Sequence, residues 1–292
     1  MCTGNNSVSK TKKTMRRTWV LFPITFFFFL FSFGHYASAN IETYDDFSFG
    51  SIDPNRWSVH NDHNFFSVGS EGLHASGAGD GSFPRDTLLT LSSYHSFSGR
   101  FGAGINFFNF SQSGYTPSSS DLRNPSISLM IGDWGSSGSD PSNPFFLIAR
   151  AVGPGGNSIG WRKFNADGTL YDRGGQPYPD DSGGLILDYN PINHTLELGY
   201  FNSTNPNDWE DSNPTIVKSF SGVTFNGNPR LQIAFTPGGG GTLSVDVGGL
   251  YYKELSDTAT YLDPVPEPST MLLLGSGLLG LAGYGRRKFL KK

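Results

Sequence analysis

The stretch RLQIAFTPGGGGTLSVDVGGLYY, residues 230–252, contains two segments in which apolar side chains alternate with polar or small ones. The alternating apolar residues are Leu231, Ile233 and Phe235 in the first segment and Leu243, Val245 and Val247 in the second. A spacing of two is that of a β-strand with one buried face. Glycines 238–241 separate the two segments, which is typical of an antiparallel hairpin. We therefore predict a β-hairpin at this position.

Seven further segments have strand character and are bounded by clusters of Gly, Pro, Asn and Ser. They are residues 100–110, 126–134, 144–152, 159–165, 184–190, 194–202 and 215–220. Between them no segment shows the apolar repeat of a helix. The 38 glycines and the aromatic content of 14% suit a β-structure with many turns. The sequence predicts a mainly β domain over residues 40–263, with two antiparallel sheets packed as a sandwich.

The segment YDDFSFGSIDPNRWSV, residues 44–59, places Phe47, Ile52 and Trp57 around a turn that contains Asp53-Pro54-Asn55. It resembles the start of a concanavalin A-like (laminin-G-like) jelly roll. The resemblance implies that fold for the domain. Because lectins, glycan-binding modules and glycoside hydrolases all use it, the fold leaves the function undecided.

The N-terminus has the three parts of a secretory signal peptide. Basic residues come first, residues 19–33 are mostly apolar, and Ala37 and Ala39 place small side chains just before Asn40. The alternative is an uncleaved anchor helix, but the apolar stretch is shorter than the ~20 residues of a membrane span. We predict a signal peptide over residues 1–39, cut by signal peptidase.

The C-terminal residues 264–292 combine a triplet, an uncharged stretch and a basic tail. The triplet is Pro266, Glu267 and Pro268, and the basic tail begins with Arg286 and Arg287. The uncharged residues 269–285 are just long enough to form a membrane helix, which needs ~17–25 residues. A basic tail would stay on the cytoplasmic side.

This order of parts resembles the PEP-CTERM sorting signal. The resemblance implies export in a Gram-negative bacterium, a transient anchor in the inner membrane and processing by an exosortase. Release to the cell surface or to an extracellular polysaccharide matrix would follow. The alternative is a single-span tail anchor that is never processed.

Charge is distributed unevenly along the chain. All 25 acidic residues but only eleven of the 21 basic ones lie between Glu42 and Glu267, so this region has a net charge of −14. Such an acidic surface disfavours nucleic acid as a partner. The one cysteine, Cys2, lies before the predicted cleavage site. The mature domain therefore has no disulfide and depends on packing for its stability.

The glutamates argue against a glycoside hydrolase. Hydrolases with this fold usually carry two glutamates close together on one strand face, with carboxyls ~5–5.5 Å apart in retaining enzymes. No two of the six glutamates lie within four positions of each other. Glu197 alone lies in a good predicted strand, and it has no carboxylate neighbour there. We predict no catalytic site. A polysaccharide hydrolase or lyase stays open as an alternative if Glu197 and an aspartate face each other across a cleft.

A loop rich in acidic side chains is the candidate ligand site. Asp208, Trp209, Glu210 and Asp211 could bind calcium through oxygen atoms, or Trp209 could stack on a sugar ring. The alternative is an ordinary solvated loop. The segment YPDDSGG, residues 178–184, has the same two interpretations. No cofactor is predicted apart from this possible calcium ion.

Two other features of the sequence have residue types that occur in functional sites. His60, Asp62 and His63 lie close together, but they lack the spacing and the number of ligands of a zinc site. Trp57 is expected in the core, whereas Trp134 borders a polar loop and is expected on the surface.

Together these features predict a non-catalytic exported protein of the cell surface or matrix, with extracellular polysaccharide as a candidate ligand. A calcium-dependent adhesin is a further alternative.

Overall fold

The computed structural model describes residues 41–255, apart from 71, 80–84, 116–123, 135–143, 154 and 206–213. The described residues form β-strands and no helix. The signal peptide predicted over residues 1–39 and the sorting segment predicted over residues 264–292 lie outside them. The strands, in chain order, are β1 (Glu42–Asp45), β2 (Trp57–His60), β3 (Phe66–Gly69), β4 (Gly72–Ala78), β5 (Asp86–Thr90), β6 (Phe101–Ser113), β7 (Ser126–Gly132), β8 (Phe145–Gly153), β9 (Gly156–Phe164), β10 (Leu170–Pro177), β11 (Gly183–Asn190), β12 (Thr195–Phe201), β13 (Thr215–Ser221), β14 (Arg230–Thr236) and β15 (Thr242–Glu254).

The strands form two antiparallel sheets. One sheet has eight strands in the order β13-β12-β11-β6-β15-β4-β3, with β1 also paired to β15. The other has seven strands in the order β10-β9-β8-β7-β14-β5-β2. The chain crosses repeatedly from one sheet to the other, as in a jelly roll. The predicted antiparallel two-sheet sandwich is confirmed.

The predicted hairpin at residues 230–252 is wrong. Its two segments are strands β14 and β15, but they lie in different sheets and do not pair with each other. β14 pairs with β5 and β7, whereas β15 pairs with β1, β4 and β6. The glycine segment therefore carries the chain from one sheet to the other where β14 ends and β15 begins, with Gly238 and Gly240 at positive φ.

The alternating side chains explain why the prediction failed. Phe235 of β14 and Val245 of β15 both belong to the core between the sheets. Apolar alternation shows which face of a strand is buried, but it does not show which strand is its partner. Two strands that pair side by side and two strands that face each other from opposite sheets have the same pattern.

The opening motif links the two sheets. β1 belongs to the eight-stranded sheet and β2 to the seven-stranded one. Buried Asp45 accepts hydrogen bonds from the indole Nε1 of Trp57 at 2.7 Å and from the backbone N–H of Phe47 at 2.9 Å. Phe47 and Trp57 stack in the core at 5.7 Å between ring centroids. The carboxylate thus fixes the turn that delivers both aromatic side chains to the core.

Candidate functional site

The outer face of the seven-stranded sheet, on the side away from the shared core, carries small side chains on β8, β9 and β10. Ile148 and Ile159 point into the core, so their neighbours Ala149 and Gly160 point outward. The register places Ala149, Gly160 and Gly175 side by side across the three strands. We call this outer face the groove face.

A groove of about 450 Å³ lies over these small residues. A Cβ atom added to Gly160 would touch only the carbonyl oxygen of Gly174, at 3.5 Å, which is an ordinary contact. Packing therefore does not require glycine at position 160, and the absence of a side chain leaves the groove open.

The two sides of the groove differ. On one side Arg162 of β9 lies directly opposite Arg173 of β10. On the other side Ser158 lies opposite Pro177, next to the turn between β8 and β9. The groove thus combines a positively charged wall with a small, uncharged floor.

No carboxylate lines this groove in the described part of the chain. Asp172 precedes Arg173, but its Oδ2 accepts a hydrogen bond from Lys218 Nζ on the eight-stranded sheet, at 3.2 Å. It therefore faces the open edge between the sheets. A glycosidase pair, which requires two carboxyl groups around the substrate, is not formed by the described lining of the groove.

The outer face of the eight-stranded sheet carries charged side chains, and we call it the charged face. Here Glu197 of β12 lies directly opposite Asp188 of β11. Glu197 accepts a hydrogen bond from Ser219 at 3.2 Å. Sequence reasoning found no partner for Glu197 within its own strand, and only sheet pairing supplies one.

Asp188 is buried in an ion pair. Its Oδ2 lies 3.1 Å from Arg100 Nη2, and the two side chains are only 6% and 8% exposed. The pKa of Asp188 is raised to about 6, mainly by burial and to a smaller extent by Glu197, and the positive charges of Arg100 and Lys253 limit the shift. Asp188 and Glu197 are therefore neighbours on one sheet face, and Asp188 is occupied by Arg100. They do not face each other across the groove.

A second polar cluster lies on the charged face. Asp246 of β15 accepts from Asn109 Nδ2 at 2.7 Å and contacts His74 Nδ1 at 2.6 Å. These contacts join β4, β6 and β15 side by side, so the cluster holds adjacent strands in register.

The predicted ligand loop, Asp208, Trp209, Glu210 and Asp211, lies outside the described residues, so its role stays a prediction. The YPDDSGG segment is described in full and is held by its backbone. Fully buried Arg150 donates to the carbonyl oxygen of Asp180 through Nε at 3.2 Å and Nη2 at 2.9 Å. Tyr178 donates to the carbonyl oxygen of Ser182 at 2.7 Å. These contacts give the segment a structural role.

His63 of the histidine cluster also has a structural role. Asp86 is fully buried and accepts from the backbone N–H groups of His63 and Phe65, while one oxygen contacts His63 Nδ1 at 2.8 Å. Across residues 41–255, outside the gaps, no group of three or more His, Cys, Asp or Glu is arranged to hold a metal ion.

The prediction that Trp134 is a surface residue is wrong. Its side chain is 5% exposed and packs beside Phe145 on the groove face, at 6.0 Å between ring centroids. Gly132 makes room for it, because a Cβ there would lie 3.1 Å from the Trp134 ring. Trp57 is in the core, as predicted.

The C-terminal segment matches a known family. Residues 264–288 match the family model of the PEP-CTERM protein-sorting motif. The chain carries this sorting motif. The match includes the triplet Pro266, Glu267 and Pro268 and the pair Arg286 and Arg287. Among the described residues no helix is long and apolar enough to cross a membrane, and the predicted span 269–285 is not among them.

Several solved structures resemble the chain weakly. The legume lectin-like domain from Entamoeba histolytica is 10% identical, with 75% of this chain and 100% of that chain covered and a TM-score of 0.49. Lectin II from Ulex europaeus is 12% identical, with coverage of 74% and 99% and a TM-score of 0.44. The β-glucanase of Bacillus licheniformis is 9% identical, with coverage of 74% and 98% and a TM-score of 0.47. No curated protein sequence matches the chain.

Sequence reasoning missed the groove and its two arginines. The signal was a set of small residues at alternate positions, Ala149 and Ala151 in one strand and Ser158 and Gly160 in the next. Only the strand register brings these positions together with Gly175 into one floor.

Proposed function

We propose that this chain is an exported protein of the bacterial surface or extracellular matrix that binds polysaccharide in the groove without cleaving it. The observation that carries the proposal is the lining of the groove, which combines an open floor with hydrogen-bonding side chains and no described carboxylate. A groove of this kind has room and hydrogen-bonding side chains for a sugar chain, and its described lining includes neither the acid nor the nucleophile that hydrolysis needs.

The sorting motif supports the delivery part of this proposal. A signal peptide over residues 1–39 would direct export, and the C-terminal helix would hold the chain in the inner membrane until an exosortase acts. Mass spectrometry of the surface form tests this sequence of events. We expect a new C-terminus near Pro266, whereas a surface form that extends to Lys292 would contradict processing.

The binding part is tested with purified full-length protein on a polysaccharide panel. Gly160→Leu places a side chain in the groove and is expected to reduce binding by tenfold or more. Gly69→Leu is the matched control, because Gly69 lies on edge strand β3 of the other sheet and a Cβ there would meet nothing within 4 Å. Equal binding by the wild type and both variants would rule out the groove as the site.

The same panel tests the alternatives. Release of reducing ends that disappears in Glu197→Gln would support the hydrolase, although Asp188 and Glu197 lie side by side on the charged face and not across a cleft. Binding that requires added calcium and is lost on substitution of Asp208 and Asp211 would support the calcium-dependent adhesin.

A further inference from the structure

The chain leaves the described domain at the end of strand β15. That strand ends at Glu254, opposite the first residue of β6. The next backbone N–H, that of Leu255, donates to the carbonyl oxygen of Arg100 at 2.9 Å. We call this end of the sandwich the exit end, because from here the chain continues towards the sorting motif and the predicted membrane span 269–285.

Three loops lie at the exit end, where β6 begins, β11 ends, β12 begins and β13 ends. They are residues 91–99, 191–194 and 222–229. Their sequences contain no Asp, Glu, Lys or Arg. In contrast, Asp180 and Asp181 are both exposed at the opposite end of the strands, between β10 and β11. These loops therefore lack the acidic groups that give the region between Glu42 and Glu267 its negative charge.

Hydrogen bonds join the three loops to one another. The backbone N–H of Val223 donates to the carbonyl oxygen of His194 at 2.9 Å. The side-chain amide of Asn228 donates to the hydroxyl of Ser96. The loops therefore form one continuous surface beside the point where the chain leaves the domain.

This surface carries two exposed apolar side chains. Ile192 is 61% exposed and Tyr94 is 47% exposed. The Tyr94 ring meets Tyr44 edge-on at 5.1 Å between centroids, and this contact fixes its position. Tyrosine suits a membrane–water interface, because its ring is apolar and its hydroxyl can stay among the headgroups. An isoleucine beside it adds apolar surface for the acyl boundary.

The charges of the two ends favour the exit end as the one that meets lipid. Carboxylates at the exit end, such as Glu254 and Asp167, lie outside the three loops. Anionic headgroups repel carboxylates, and salt screens this repulsion only beyond ~8–10 Å. The three loops can therefore approach an anionic membrane more closely than the end that carries Asp180 and Asp181.

The length of the tether favours the same contact. Residues 256–268 separate Leu255 from the predicted span, and thirteen residues extend at most ~45 Å. Strand β15 also has 13 residues and is therefore ~43 Å long. Contact of the opposite end with the membrane would require an almost fully extended tether, whereas contact of the exit end leaves the tether free.

We propose that the three exit-end loops dock onto the lipid surface of the inner membrane while the sorting segment anchors the chain there. Tyr94 and Ile192 enter the headgroup region, and the strands extend away from the membrane. This inference assigns a second surface and a second partner, and it rests on the proposed function only for the membrane anchor.

The inference is tested with full-length protein in nanodiscs of phosphatidylethanolamine and phosphatidylglycerol. Because Cys2 is the one cysteine, a Cys2→Ser background allows a fluorophore at a single introduced cysteine. Thr224→Cys reports on the exit end, and Asn157→Cys, exposed at the opposite end, is the matched control position. We expect lipids that carry a quencher near the headgroup to reduce the fluorescence at position 224 by roughly twofold and to leave that at position 157 unchanged.

Substitutions test the two apolar side chains. Ile192→Glu and Tyr94→Glu each place a carboxylate on the proposed contact, so each should reduce the quenching at position 224 towards the level at position 157. Val59→Glu is the matched control, because Val59 is 40% exposed on edge strand β2, outside the three loops. It should leave the quenching at position 224 unchanged. Melting curves show whether each variant is folded.

The outcomes separate this inference from the proposed function. Equal quenching at positions 224 and 157, in protein that stays with the nanodiscs, would overturn the docking and leave the anchor in place. Protection of position 224 that appears only when an exosortase is added would also overturn it, because the partner would then be the processing enzyme. Protein that does not stay with the nanodiscs would contradict both the anchor and the docking.

Discussion

The two outer faces of the sandwich differ in the side chains that cover their strands. The charged face covers its strands with polar side chains that satisfy each other, such as Arg100 with Asp188 and His74 with Asp246. The groove face has small and apolar side chains, and its described groove lining contains arginine but no carboxylate. The difference teaches that the described carboxylates of the charged face hold neighbouring strands together, whereas the described lining of the groove is not occupied by such pairs.

The Arg100–Asp188 ion pair is buried, so among the contacts of the charged face its loss should lower the stability of the protein most. Arg100→Met leaves the Asp188 carboxyl buried without its cation and should lower the free energy of unfolding by about 3 kcal/mol at pH 7. The loss should shrink at pH 5, where Asp188 becomes protonated. Denaturant unfolding measures both values.

A double variant is the control for that prediction. Arg100→Met with Asp188→Leu removes both charges, and replacing a buried pair with apolar groups is often neutral or stabilising. The double variant should regain at least half of the lost stability. A single-variant loss below about 1 kcal/mol would show that the pair matters little to the charged face.

The raised pKa of Asp188 predicts how the charged face responds to pH. A folded-state pKa of about 6, above the ordinary 3.8, means that protonation stabilises the folded protein. This stabilisation is complete below pH 3.8 and is lost as the pH rises through about 6. Relative to Asp188→Asn, the wild type should lose about 2 kcal/mol between pH 4 and pH 7. Parallel stability curves for the two proteins would contradict the assigned shift.

Gln232 is a buried polar residue among the apolar side chains of the groove face. Its side chain is 1% exposed, and neither amide atom has a hydrogen-bond partner among the described residues. It lies opposite Met130 and Leu89, so Gln232→Met places an apolar side chain in an apolar row. We expect the variant to be more stable by about 1 kcal/mol in denaturant unfolding. Gln176→Met is the control and should be destabilising, because Gln176 donates to the Tyr200 hydroxyl at 2.8 Å. A less stable Gln232→Met would show that this amide is satisfied in solution.

The smallest effect is expected at the second cluster of the charged face. Asp246→Asn weakens the contact with His74, whose side chain is 43% exposed, and exposed pairs contribute about 0–1 kcal/mol. The melting temperature should therefore change by only a few degrees. If the free energy of unfolding fell by more than about 2 kcal/mol, this cluster would contribute about as much to stability as the Arg100–Asp188 pair.

Much of the fold could be predicted from local patterns. Apolar segments between turn residues located the strands from residue 100 onward except β10, because a strand that buries one face carries apolar side chains whatever its partner is. The edge strand β10 was missed, since its side chains are largely exposed and show no apolar alternation. Partner choice is not local, and this is why residues 230–252 were predicted as a hairpin although β14 and β15 lie in separate sheets. The prediction that Trp134 is exposed was wrong for a related reason. The polar loop beside it in sequence does not reveal that its ring packs against Phe145 and Gly132.

The sequence by itself determined most strand segments after residue 100, the acidic middle region and the sorting motif at residues 264–288, because each of these depends on residues that follow one another in the chain. The tertiary structure alone decided which distant residues became neighbours. It placed Asp188 beside Glu197, and it placed Arg162 beside Arg173 over a floor of small residues. Register between strands depends on the packing of the whole core, and therefore no single segment of this chain specifies the groove.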